Sequence, residues 1–124
     1  MKVQVLHLII DKLPERYNSA PGAHWTSRYA QSSKWKRYVF EAMLAAGYKK
    51  PEKALEKAEL HLVRGSSKEP DFDGLVHSFK PVIDAIKFHG WIVDDKMSVI
   101  GQPQYFWKKT KPKHGYIAIE LFAV

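Results

Sequence analysis

Between Pro70 and Asp95 the chain reads PDFDGLVHSFKPVIDAIKFHGWIVDD. Leu75, Val76, Phe79, Val82, Ile83 and Ile86 recur at helical intervals, which makes one broad apolar stripe on an α-helix. Pro81 falls inside that stripe and has no backbone N–H to donate, so a kink or a break is expected there. His89-Gly90 is expected to end the helix. The stretch opens on Asp71 and Asp73 and closes on the adjacent Asp94 and Asp95. Thirteen acidic residues face twenty Lys and Arg in the whole chain, so four acids around one helix form a concentration. Singly, Asp73 reads as a helix cap and Asp94-Asp95 as a turn. Together, in a basic chain, they point to a divalent metal held close to a polyanion.

The remainder reads as a mixed α+β pattern. Val3–Ile10 is expected to be a buried strand, with sides Val3, Val5, Ile9 and Leu6, Leu8, Ile10. From Leu13 to Ser33 no period holds, and a loop of that length in a compact domain is either functional or disordered. It carries Arg16, Tyr17, His24, Trp25, Arg28 and Tyr29. Such cations and flat rings suit phosphate contact and base stacking; the alternative is a loop pinned to the core by its aromatic residues. Ser33 is expected to cap a helix running to about Ala46, with Trp35, Tyr38, Val39, Ala42, Met43 and Ala46 inward and Gly47 as the stop. Lys34, Lys36 and Arg37 lie on its other side, as a solvated face or as a continuation of the basic loop. A strand is expected over about Lys57–Arg64, and two more over Met97–Trp107 and Tyr116–Phe122. The connection KKTKPKHG between the last two reads as a basic hairpin turn carrying Lys108, Lys109, Lys111 and Lys113. Such a turn contacts an anion or merely guards an edge.

Function classes narrow on composition. With 124 residues and no cysteine, the chain reads as one domain spanning 1–124. Disulfides, thiol nucleophiles and thiolate zinc sites are excluded, and a reducing compartment fits. The opening MKVQVLHLII reaches Asp11 too soon for a signal peptide, and no window has transmembrane length. A formal net charge of +7 implies an anionic partner, nucleic acid rather than membrane. Three or four carboxylates without thiolates suit Mg²⁺, with Mn²⁺ as a substitute. Phosphodiester hydrolysis is the natural chemistry of that combination.

The order of these elements, the PDxDxL opening and the Asp-Asp pair after the helix resemble the RusA-type Holliday-junction resolvases over nearly the whole chain. The resemblance implies a mixed β-sheet with two main helices, an intimate homodimer, and Mg²⁺-dependent cutting of four-way DNA junctions in recombination and repair. It implies a cytoplasmic protein of bacterial or phage origin with no organic cofactor and no membrane partner. By position, Asp71 and Asp73 match the family's first two catalytic acids and Asp95 the third, with Asp94 beside it as an accessory ligand. The best-known members read DNLxK after the first acid, and their lysine is needed for cleavage. Here Gly74 stands for the Asn and His77 for the Lys, while Lys80 follows seven residues after Asp73. His77 or Lys80 is therefore expected to supply charge or a proton at the scissile phosphate. Arg16, Arg28, Lys34, Lys36, Arg37 and the Lys108–Lys113 turn are expected to hold the junction arms. The alternative is a protein of the same fold that binds branched DNA and cuts it poorly or not at all.

Overall fold

The computed structural model describes residues 2–15 and 25–124, with side chains from residue 29 onward in the second segment. Its elements are β1 (Val3–Ile10), α1 (Trp25–Ala45), β2 (Ala58–Ser66), α2 (Phe72–Ser78), α3 (Lys80–Phe88), α4 (Met97–Ile100), β3 (Gln104–Lys109) and β4 (Tyr116–Ala123). The fold is α+β, and the sheet is mixed with strand order β1-β4-β2-β3. β4 runs antiparallel to both β1 and β2, and β3 lies parallel to β2.

One face of the sheet supplies the core. In register, Leu6, Leu121 and Leu60 form one row, and Leu8, Ile119 and Leu62 the next; all six are buried. Trp35, Val39 and Met43 of α1 and Val82, Ile83 and Ile86 of α3 join the same cluster. β1 is thus an edge strand buried on one side only: Ile9 is 64% exposed and Val3 55%. The buried strand expected from its composition is half right, because Val, Leu and Ile also populate open sheet faces.

Four other expectations change. α1 begins at Trp25, well before Ser33. Pro21-Gly22 is the last breaker before Gly47, so nothing between stops the helix, and Ser33 lies exposed within it. Gly47 does end it, with φ of 82°. The expected strand from Met97 starts instead as the short helix α4, closed by Gly101 at φ 59°. The basic segment after β3 is no hairpin turn, since β2 lies between β3 and β4. It crosses the end of β2, where the Thr110 N–H donates to the Ser66 carbonyl at 3.0 Å. The cap of the central helix is Asp71 rather than Asp73.

The central helix breaks where Pro81 demands it. α2 ends at Ser78, α3 starts at Lys80, and Phe79 between them is fully buried. That ring pins the break to the core, and Phe79→Ala should cost about 3–5 kcal/mol. Beyond α3, Gly90 turns the chain at φ 86°. The next residues are then held by a backbone bridge: Leu55 N–H donates to Trp91 O, and Val93 N–H to Leu55 O, each at 3.0 Å. Asp94 and Asp95 therefore leave from a fixed point.

Candidate functional site

Asp71 is extended (φ −73°, ψ 164°), and its Oδ1 accepts the Gly74 N–H at 2.8 Å. That satisfies one of the open donors of the first helical turn. A side chain at position 74 would run into this carboxylate, so glycine at that place permits the pose. The helix begins at Phe72, so Asp71 precedes it while Asp73 already lies within it. Asp73 stands in the first turn of α2, where the helix dipole favours its charge. It is exposed and has no hydrogen bond or ion pair among the described residues. His77 is exposed in the last turn.

Lys80 is the first residue of α3, an unfavourable end of the helix dipole for a cation. Two carboxylates offset that. Its Nζ lies 2.7 Å from Asp95 Oδ2 and 3.1 Å from Asp84 Oδ1. The hydrogen bond to Asp95 is the main reason its pKa is raised, with Asp84 adding to it against some desolvation. Asp84 was not singled out from sequence, although its spacing of four from Lys80 is the ordinary signature of a helical ion pair.

Asp94 is held differently. Its Oδ1 accepts the Asp95 backbone N–H at 2.8 Å and the Lys87 ammonium at 3.1 Å, and Lys96 lies 3.7 Å from its other oxygen. The backbone donor above all, then Lys87, lowers its pKa to about 2. Asp94 thus works as the turn brace that its dipeptide suggested, and it stays ionised throughout ordinary conditions.

These partners bear on metal binding. Among the described residues no three His, Asp or Glu side chains are gathered so as to hold one ion. Asp71 serves the helix cap, Asp95 faces an ammonium, and Asp94 is shared by a backbone donor and two lysines. Of the four acids only Asp73 is left without such a partner among the described residues, so a divalent ion held by Asp71, Asp73 and Asp95 would compete with the Gly74 amide and the Lys80 ammonium for its oxygens.

The cations expected to touch DNA separate into groups. Arg16 and the side chain of Arg28 lie outside the described residues, as do Tyr17, His24 and the side chain of Trp25. The ammonium of Lys36 sits 4.4 Å over the Phe88 ring. Arg37 pairs with Glu41 at 3.6 Å and lies over Tyr38. Both belong to the packing of α1. Lys34, Lys108, Lys109, Lys111 and Lys113 are exposed with no ion pair among the described residues. A comparison with family models finds no match for this chain, and neither does a search of curated proteins.

Proposed function

We propose that this protein is a metal-dependent endodeoxyribonuclease acting on branched DNA, with the four-way junction as its substrate and a two-fold homodimer as its working form. One observation carries the reading. Lys80 and Asp95, chosen separately from sequence as charge donor and metal ligand, meet at 2.7 Å across the length of α3. The pair stands in a chain of net charge +7, which suits a polyanionic substrate. In this reading Asp71, Asp73 and Asp95 are the acids required for cutting and Lys80, with His77, faces the scissile phosphate. Mg²⁺ would supply charge stabilisation on the phosphoryl oxygens. Paired cuts in a two-fold junction call for two related sites, hence the dimer.

A second reading draws on the partners of the carboxylates. Asp71 is engaged in a cap and Asp95 in an ion pair, which favours a protein that binds branched DNA without cutting it. A labelled four-way junction and a matched duplex, each incubated with Mg²⁺ and with chelator, separate the two. Cutting of the junction alone, abolished by chelator, is the result expected; junction binding with no cutting in any metal selects the second reading.

A further inference from the structure

Where the strands end, the fold encloses a cleft of about 440 Å³ that no single stretch of sequence announces. Its walls come from three separated segments: the chain after β1, the end of β2 with the residues beyond it, and the connection from β3 to β4. Lys12, Arg64, Lys68, Lys111 and Lys113 line it against a single acid, Asp11. Asp11 is 3.8 Å from Lys12, whereas Lys68, Lys111 and Lys113 have no ion pair among the described residues.

The cleft is built. Arg64 is only 7% exposed and donates through Nη1 to the Pro14 carbonyl at 2.9 Å. The Trp107 indole N–H donates to Ser66 Oγ at 3.0 Å, and Ser66 Oγ donates on to the Lys68 carbonyl at 2.8 Å. Side chains at Gly65 and Gly115 would collide with Tyr116 and Leu13 respectively, so these glycines let the walls close up. Lys113 holds a φ of 68°, a conformation that Gly or Asn adopts with less strain. A solvated lysine face is normally convex, where like charges spread apart. Here they converge on a concavity, which focuses positive potential toward an anion.

We propose that this cleft binds the phosphodiester backbone of a DNA arm, which deepens the nuclease reading and rests on DNA being the substrate. The volume lies within the range of about 300–1,000 Å³ typical of sites for small groups. From Lys68 to Asp71 the chain spans at most about 11 Å. A strand advancing about 3.4 Å per nucleotide and seated in the cleft therefore passes within about three nucleotides of the acidic segment. Lys12 and Lys68 thereby join Lys111 and Lys113 as backbone contacts, Arg64 braces the wall through Pro14, and Lys108 and Lys109 fall outside the cleft.

The test uses the full chain carrying Lys68→Gln, Lys111→Gln and Lys113→Gln together, all exposed positions. Its control carries Lys50→Gln, Lys53→Gln and Lys57→Gln, equally exposed and remote from the cleft lining. Fluorescence anisotropy with a labelled four-way junction in chelator gives the affinity over a salt series. The cleft variant should lose at least tenfold in affinity at low salt, and its log-affinity against log-salt slope should flatten by about two to three units, since each phosphate contact contributes about 0.9. The control should flatten by less than about one. Equal effects in both variants, or none in either, overturn the proposal. Titration with inorganic phosphate is the second arm: saturation by phosphate alone, with the junction slope unchanged in the cleft variant, assigns the cleft to a free anion and overturns the DNA assignment. Binding with the expected slope but no cutting in Mg²⁺ leaves the cleft standing and removes the nuclease reading. Cutting with an unchanged slope in the cleft variant does the reverse.

Discussion

The acidic segment and the basic cleft treat charge in opposite ways. Around α3 the charges are closed on one another: Lys80 with Asp84 and Asp95, and Lys87 and Lys96 with Asp94. Four lysines and a buried arginine line the cleft with one acid among them. The first region is locally neutral and held by backbone braces. In the second, Lys68, Lys111 and Lys113 have no ion pair among the described residues, which leaves positive field for a partner. A net charge of +7 says only that an anion is wanted; the arrangement says where the field is open. In this account attraction and chemistry are separate duties on neighbouring segments, and each can be removed without the other.

The largest effect expected is from Asp71→Asn. Asparagine caps a helix about as well as aspartate, so stability should hold while Mg²⁺-dependent junction cutting falls by at least a hundredfold, measured as single-turnover nicking rate. Retained cutting in this variant would merge the two regions again by removing chemistry from the acidic one. Lys80→Ala should reduce cutting by about tenfold and free Asp95. Mn²⁺ binding measured by calorimetry should then tighten several-fold, since the ammonium no longer competes for that carboxylate. The exposed ion pairs themselves are worth only about 0–1 kcal/mol each, so a thermal midpoint far below wild type would show Lys80 to be chiefly structural.

A smaller effect sharpens the role of Asp71. Asp71→Ala removes the cap and should cost about 1 kcal/mol, about 3–5 °C in a chain of this size, whereas Asp71→Asn should cost little. Equal losses in both would mean that charge rather than the hydrogen bond to Gly74 stabilises the turn.

The smallest effect is a pH dependence at Asp94. Its folded pKa is lowered to about 2, below the unfolded value of about 3.9. The stability it contributes is therefore present above about pH 4 and is lost as pH falls toward about 2. Asp94→Asn should narrow the stability difference from wild type over that window, read from urea midpoints at pH 5, 4, 3 and 2.5. Lys80 shifts upward, so its contribution holds below about pH 10.4 and disappears at still higher pH.

Local signals carried much of this fold, and non-local ones carried the rest. Pro81 announced the break between α2 and α3, Gly47 the end of α1, and the run Tyr116–Phe122 the strand β4. Each depends on residues within a few positions. The start of α1 was missed because the polar run before Ser33 imitates a loop, although Pro21-Gly22 is the last breaker ahead of it. β3 was given the wrong neighbour because adjacent strands usually pair, and nothing local shows that β2 intervenes. In the candidate site, the carboxylates were legible as a group, but their partners were not. Lys80 reaches Asp95, fifteen residues away, across the length of α3. The cleft assembles residues 11–13, 64–68 and 111–115, a meeting that only the sheet order explains.

The most direct test places both regions in one experiment: a single labelled junction, with bound fraction and nicked fraction read from the same samples in Mg²⁺. The variants are Asp71→Asn with Asp95→Asn, and the Lys68, Lys111, Lys113→Gln triple. The account predicts a crossed result. The aspartate variant binds as wild type and does not nick, whereas the lysine variant binds at least tenfold more weakly yet nicks once protein is raised to saturation. An aspartate variant that binds and still nicks at the wild-type rate would contradict the account.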